Sequence, residues 1–315
     1  MEKIVFLDRN AIRIALREPN FAHEWREYPH TAADQILERL QGATIAITNR
    51  VPITGATLDA IPTLRFVAVS ATGYDHVDVA ACRARGVAVC NVQEWAVSIP
   101  EHVFALILAL SRQLPAYRQA VREGAWGRSA TYGLLMEPLP HALFGGVLGL
   151  IGYGALARNV EAIGRAFGMR VLIAERKGAE HVREGRVSFD DVLKNSNVIS
   201  VLCPLNDETR GMIGAPELAL IRPDSILINC ARGGIVDEAA LAAALAAGQL
   251  GGAGVDVLTQ EPPVNGNPLL ELNLPNLIVT PHIAWASWES LETMAEQLIG
   301  NLEAYVAGEA RNLVN

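Results

Sequence analysis

Positive charge is in short supply in this chain of 315 residues. It carries 26 Lys and Arg against 34 Asp and Glu, a formal net charge of −8, which excludes the basic footprint of a nucleic-acid binder. Long apolar runs are missing too. Runs such as Val103 to Leu110 fall far short of the roughly 20 residues that span a bilayer. The opening residues Met1 to Asp8 hold only Ile4-Val5-Phe6-Leu7 as an apolar run, too short for the hydrophobic region of a signal peptide. Cys82, Cys90, Cys203 and Cys230 form no Cys-x-x-Cys pair and no Cys/His ligand spacing. No metal site is expected, and the cysteines read as reduced core thiols of a cytoplasmic protein.

What is present is enough chain for about two domains and one stretch of distinctive grammar. Val147-Leu148-Gly149-Leu150-Ile151 is a buried-strand pattern that runs straight into Gly152-Tyr153-Gly154. Leu156, Val160, Ile163 and Phe167 follow at helical spacing, Gly168 stops the helix, and Val171–Ala174 reads as a second strand. This is a βαβ unit. Gly152 serves the tight turn, Gly154 lets the backbone approach a pyrophosphate, and the helix start offers N–H groups and its positive dipole end. Ala157 occupies the third fingerprint position, and Glu175 lies 21 residues after Gly154 at the end of the second strand. A carboxylate there can bond the ribose hydroxyls of an adenosine. An isolated Gly-x-Gly is equally an ordinary tight turn; the strand, helix and acid around it favour dinucleotide binding.

Before this stretch, Ile4–Leu7, Thr44–Thr48, Phe66–Val69 and Val87–Cys90 are short β-branched runs with helical patterns between them, such as Ala33, Ile36, Leu37 and Leu40. That alternation predicts a small α/β domain with a parallel sheet. Ser98-Ile99-Pro100-Glu101 announces a long helix with a Ser98/Glu101 capping box. Its body, apolar all round, is expected between domains, and Pro115 is expected to kink or end it. Residues Gly124 to Pro140 have no clear period and read as a loop that wraps a neighbour or a partner subunit. Further strands are expected at Val198–Leu202, Ile226–Cys230, Ala253–Val257 and Leu277–Thr280, with a helix at Leu241–Ala247. The last helix, Ser287 to Val306, places Leu291, Met294, Leu298, Leu302 and Tyr305 on one stripe and is expected to return to the N-terminal domain. A loose echo links Ile47 to Gly73 with Leu202 to Gly234: strand, proline loop, helix, strand and small-residue turn. It points to two doubly wound domains facing one cleft.

Ligands of open α/β sheets sit beyond the carboxyl ends of the strands. Those positions hold Arg232 after Ile226–Cys230, Asp256 and Glu261 around the end of Ala253–Val257, and His282 after Leu277–Thr280. Cation, acid and imidazole beside a dinucleotide site fit carbonyl/alcohol redox chemistry. Arginine would hold a carboxylate and polarise a carbonyl; histidine would pass the proton; the acid would orient the imidazole and favour its charged form. Singly, each has a plain alternative. Arg232 could serve loop carbonyls, Glu261 could be a solvated turn residue, and His76 and His102 rival His282. The trio at successive strand ends is the stronger signal.

On Ala71 to Asp78, Gly149 to Ala157, Cys203-Pro204-Leu205 with Thr209, Asn229 to Asp237, Asp256 to Pro262 and Pro281 to Trp285, the chain resembles the D-2-hydroxyacid dehydrogenases, nearest their glycerate dehydrogenase and hydroxypyruvate reductase branch. The resemblance implies two doubly wound parallel-sheet α/β domains. A smaller flavodoxin-like substrate domain would comprise residues 1–98 with 286–315, and a Rossmann NAD(P)-binding domain residues 99–285. It implies Arg232, Glu261 and His282 as the catalytic residues. Substrate contacts would come from Arg50, Thr72, Gly73, Arg232, His282 and Trp285. Cofactor contacts would come from Gly152, Tyr153, Gly154, Ala155, Leu156, Glu175, Arg176, Cys203, Pro204, Thr209, Cys230, Ala231, Asp256, His282 and Ala284, with Asp256 bonding the nicotinamide amide. The pattern is broken where Leu202 replaces a common histidine, where Pro100 replaces a small residue, and where Leu143-Phe144-Gly145-Gly146 lacks a lysine.

The activity implied is hydride transfer between a nicotinamide and a small 2-oxo or D-2-hydroxy acid, with hydroxypyruvate or glyoxylate favoured by Trp285. The alternatives are another small acid, phosphite, or a dinucleotide-sensing scaffold like the co-repressors that share this fold. The chain is expected to lack a regulatory domain and partner-binding tails, and to form a homodimer through its dinucleotide domains. NAD is the expected cofactor, with NADP as the alternative. Glu175 would repel a 2′-phosphate, while the adjacent Arg176 is expected to face solvent because successive strand residues point to opposite sides.

Overall fold

The computed structural model describes residues 1–93 and 96–315. The chain divides into two compact units, residues 1–97 with 286–315, and residues 98–285. Among the described residues no helix is long and apolar enough to cross a membrane.

The first unit is built on β1 (Glu2–Phe6), β2 (His23–Glu27), α1 (Ile36–Leu40), β3 (Ile45–Thr48), α2 (Gly55–Ala60), β4 (Phe66–Val69), α3 (Val79–Ala84) and β5 (Ala88–Cys90). All strand pairs are parallel and the order is β2-β1-β3-β4-β5, so the winding reverses between β1 and β3. That is the flavodoxin-type order. β3 and β4 are buried along their whole length, as a sheet covered on both faces requires. The strand β2, His-Glu-Trp-Arg-Glu, has no sequence forerunner. It is an edge strand, half exposed and charged, so neither an apolar run nor a hydrophobic alternation marks it.

The second unit begins with α4 (Ile99–Ser111) and α5 (Leu114–Arg122). The helix expected to continue to Pro115 ends at Ser111 instead. Gln113 adopts a left-handed conformation (φ 51°), and Pro115 lies in the first turn of α5, where its missing N–H costs nothing. The expected Ser98 cap also fails. Ser98 already has helical backbone angles, and its hydroxyl donates to the Ala284 carbonyl at 3.1 Å. There follow β6 (Val147–Ile151), α6 (Ala155–Ala166), β7 (Arg170–Ile173), α7 (Phe189–Asn195), β8 (Val198–Val201), α8 (Ala215–Leu218), β9 (Ile226–Asn229), α9 (Glu238–Ala246), β10 (Gly252–Val255) and β11 (Leu277–Val279).

These strands form a parallel sheet in the order β11-β10-β9-β8-β6-β7. A further parallel bridge joins Ala174 to Val187 outside β7, where a Rossmann half would carry its third strand. Alternate strand residues serve opposite faces. Leu148, Leu150 and Ile228 pack with Val103, Phe104 and Ile107 of α4 and Val160 of α6. Ile199, Val201 and Val255 pack with Val192, Leu218 and Leu245 of α7, α8 and α9. On α6 the expected stripe is half right: Val160 is buried and Ile163 packs against the core, whereas Phe167 is 40% exposed and Ala157 and Gly164 are buried beside Val160. Small residues bring the helix close to Leu148 of β6, and Phe167 stacks at the edge on Phe104, centroids 5.5 Å apart.

The last helix, α10 (Trp288–Val306), belongs to the first unit. Ser287 caps it by accepting from the Ser290 N–H, and Met294, Leu298 and Leu302 are buried. Tyr305 stacks on Phe66 of β4 with centroids 4.0 Å apart.

Candidate functional site

The turn after β6 is a tight glycine turn that leads into an open helix start. Gly152 has φ +92°, and a Cβ there would stand 2.6 Å from the Cys203 nitrogen, so only glycine allows the turn to lie against the chain leaving β8. Gly154 is the N-cap of α6, and a Cβ on it would meet nothing within 4 Å. The first-turn amides, including those of Ala155 and Leu156, therefore open onto accessible space at the positive end of the helix. The residues present fit a dinucleotide pyrophosphate. Around them, Tyr153 donates its hydroxyl to Glu161. The Thr209 hydroxyl is used within its own turn, donating to the Pro204 carbonyl at 2.7 Å. Burial pushes the Cys203 thiol up to about 11 and raises Cys230 as well.

Glu175, just beyond β7, is 4% exposed. Its Oε1 accepts from the Arg176 N–H at 2.9 Å and Arg183 Nη2 at 2.5 Å. Its Oε2 accepts from the Arg183 N–H at 3.2 Å and Arg183 Nε at 2.6 Å. The Arg183 guanidinium and these N–H groups hold the carboxyl well below the usual carboxylate range. Arg176 is exposed. Arg183 escaped sequence reasoning because it lies eight residues from its partner in an irregular, charged segment with no period.

The strands β9, β10 and β11 are neighbours and parallel, so their carboxyl ends share one edge. After β9, Asn229 shapes the loop: its Oδ1 accepts from the Ala231 N–H at 3.1 Å and its Nδ2 donates to the Arg232 carbonyl at 3.0 Å. Gly233 lets the loop after β10 lie against it, since a Cβ there would fall 2.0 Å from the Leu258 carbonyl carbon. The Leu258 N–H in turn donates to Glu261 Oε1 at 2.8 Å, fixing that carboxylate. Glu261 Oε2 then meets His282 Nδ1 at 2.6 Å. A carboxylate accepting at this distance keeps a proton on Nδ1 and leaves Nε2, on the opposite side of the ring, as the exchangeable position.

His282 itself sits at φ 55°, unusual for a non-glycine residue. Asp256 holds this turn. It is 1% exposed, its carbonyl accepts the His282 N–H at 2.8 Å, and its carboxylate accepts the Thr280 hydroxyl at 2.5 Å and the Ile283 and Ala284 N–H groups at 2.9 Å. Trp285 braces the same turn, its indole N–H donating to the His282 carbonyl at 2.8 Å.

Of the rival histidines, His102 lies 3.1 Å from the Thr280 hydroxyl and 3.5 Å from Asp256, behind the turn. His76, in the other unit, buries both ring nitrogens without a hydrogen-bond partner among the described residues, and burial lowers it to about 4.

In the first unit, Arg50, Thr72 and Gly73 follow the carboxyl ends of β3 and β4. Asp8 pins the first of these loops, accepting the Asn49 and Arg50 N–H groups at 2.8 and 2.7 Å. Asn91 pins the second through the Thr72 carbonyl at 2.7 Å. The Arg50 guanidinium stands 4.0 Å from Asp75.

Comparison with known proteins decides the family. Residues 104–284 match the D-isomer specific 2-hydroxyacid dehydrogenase, NAD binding domain. The chain belongs to the D-2-hydroxyacid dehydrogenases. It is 46% identical over 315 residues to a glycerate dehydrogenase of Methylorubrum extorquens, covering 99% of each chain. Among solved structures it resembles an NADPH-dependent glyoxylate/hydroxypyruvate reductase of Sinorhizobium meliloti in complex with NADP and malonate (TM-score 0.83, 28% identity, 99% of this chain and 96% of that one). It also resembles a D-lactate dehydrogenase of Aquifex aeolicus complexed with NAD and lactic acid (TM-score 0.82, 28% identity, 97% and 96%). This D-2-hydroxyacid dehydrogenase is an NAD(P)-dependent oxidoreductase, with two parallel α/β sheets as that fold requires.

Proposed function

We propose that the enzyme reduces hydroxypyruvate or glyoxylate to D-glycerate or glycolate. The observation that carries the chemistry is the 2.6 Å contact between His282 Nδ1 and Glu261 at the strand edge that also holds Arg232. The substrate class follows the relatives named for glycerate and for glyoxylate/hydroxypyruvate. A bound nicotinamide supplies the hydride that reaches the carbonyl carbon. The chain supplies the rest. Arg232 pairs its planar guanidinium with the substrate carboxylate and draws electron density from the carbonyl. His282 gives the proton on Nε2 to the carbonyl oxygen as negative charge develops there. Glu261 stabilises the imidazolium before transfer and keeps the ring in register. Asp256 holds the turn that carries His282 through its carbonyl and three contacts to its carboxylate.

In this reading residues 99–285 are the NAD(P)-binding domain, and residues 1–98 with 286–315 the substrate domain. Arg50, Thr72 and Gly73 contribute substrate contacts, and the fifteen cofactor positions from Gly152 to Ala284 named above serve the dinucleotide. Four thiols without disulfides suit the cytoplasm, and the acidic surface suits no nucleic acid. The molecule pairs as a homodimer through the second unit. Supporting this, Trp126, Tyr132, Leu135, Leu139 and Phe144 are exposed within twenty residues of chain, with Tyr132 at 99% and Leu135 at 80%, an apolar display that monomers rarely keep.

The test is NADH oxidation followed with hydroxypyruvate, glyoxylate and pyruvate, and NAD reduction followed with phosphite, which donates rather than accepts a hydride. Preferred turnover of the first two is expected. Tight NADH binding with no turnover of any acid would favour a dinucleotide-sensing scaffold instead.

A further inference from the structure

The adenosine-ribose acid does not present itself as a bare carboxylate. A carboxylate offers about four lone-pair sites, and the four N–H donors around Glu175 use all of them. Three of those donors belong to Arg183. Its Nε/Nη2 edge faces the acid, so Nη1 lies on the outer side, and the side chain is 57% exposed.

The neighbouring cations divide cleanly. Lys177 is turned away, its ammonium 2.8 Å from Glu217 and 2.9 Å from the Met212 carbonyl. Arg186 donates to the Ala174 carbonyl at 3.0 Å. Arg176 stays exposed beside the acid. Glu175, Arg183 and Arg176 therefore sum to one positive charge where the glutamate alone would give one negative.

We infer that Arg183 sets cofactor choice: by capping Glu175 it removes the repulsion that would exclude a 2′-phosphate and offers that phosphate its outer guanidinium edge, so the enzyme accepts NADPH alongside NADH. The inference rests on the dehydrogenase reading given above. NADPH is recognised with the Glu175–Arg183 pair intact, through charge-assisted N–H donors to phosphate oxygens. NADH binds to the same pair or displaces the guanidinium to reach the acid, and so depends on Arg183 far less.

The experiment measures equilibrium binding of NADH, NADPH and adenosine 2′,5′-bisphosphate by titration calorimetry, with no acid substrate present. Wild type and Arg183→Gln are compared, and folding is checked by thermal melting. The wild type is expected to bind NADPH within tenfold of NADH. Arg183→Gln should weaken NADPH and the bisphosphate by tenfold or more while NADH changes less than threefold. Arg183→Lys, which keeps the charge and loses the fork, should fall between them. An NADPH/NADH ratio unchanged in Arg183→Gln, or a wild type that binds NADPH a hundredfold more weakly than NADH, overturns the inference. If both nucleotides bind as described and no 2-oxo acid is reduced, the proposed activity fails while the role of Arg183 stands.

Discussion

In the proposed mechanism His282 and Arg232 divide the work at the reacting atoms, and their substitutions should separate accordingly. His282→Ala removes the proposed proton donor and should lower kcat by about a hundredfold or more, with NADH affinity changed far less in a direct titration. Arg232→Lys keeps the charge but loses the planar match to a carboxylate. It should raise KM for the oxo acid and lower kcat; wild-type kinetics in this variant would remove Arg232 from the site. The four cysteines give a pH prediction. Burial pushes Cys82 and Cys203 up to about 11 and Cys90 to about 12, and raises Cys230. The thiolate is the nucleophile, so at pH 8 only about one thiol in a thousand is reactive at a group titrating near 11. Iodoacetamide labelling of the native protein should be slow at pH 8, climb about tenfold per pH unit toward pH 11, and become fast at pH 8 once the chain is unfolded in urea. That Arg232, Glu261 and His282 follow neighbouring strand ends was legible because buried strands and their ends are readable in the sequence. Arg183 and Trp285 were harder. One acts through a pairing across an irregular segment, and the other donates its indole N–H to the His282 backbone, a role that no residue type announces.

At the scale of single elements, the β6–α6 turn is the most constrained. Gly152→Ala places a methyl 2.6 Å from the Cys203 backbone at a positive φ, which should cost about 1–3 kcal/mol and weaken cofactor binding more than tenfold, read as a lower Tm and a nucleotide titration. Strands with continuous apolar runs, such as Val147–Ile151 and Phe66–Val69, coincide with the sequence reading because a strand covered on both faces needs such a run. β2 was invisible because an edge strand is under no such demand. The face of α6 is only half read by the stripe, for a related reason. Side-chain size marks apolar periodicity, yet the closest approach to a sheet is made by Ala157 and Gly164, which carry almost none. The failed Ser98 cap follows from backbone angles that composition does not encode.

For the whole molecule, the doubly wound character of both sheets was legible from alternating strands and helices, while the exact strand order was not. Nothing in the chain marks that Val187 adds only a single bridge beside β7. The quaternary prediction is that Leu135→Asp combined with Trp126→Arg shifts the protein from dimer to monomer in sedimentation velocity. Both positions are exposed, so the variants should keep their fold by circular dichroism. A wild type that sediments as a monomer at micromolar concentration would remove the proposed dimer.

The first unit is interrupted by the second, and this has a consequence for how the protein is made. α10 supplies the buried Met294, Leu298 and Leu302, and the residues after it complete the edge of β5, where the Val314 N–H donates to the Val89 carbonyl at 2.9 Å. The five strands of the first unit emerge from the ribosome early but wait for nearly two hundred further residues before their last helix exists. The inserted unit has all its strands and can close first. Synthesis therefore begins one unit, finishes another, and only then returns. Through that interval Phe66 of β4 has no Tyr305 to stack on and β5 has no neighbour on its outer side, so the nascent chain is most exposed to chaperones and to aggregation while its N-terminal third is waiting for its end.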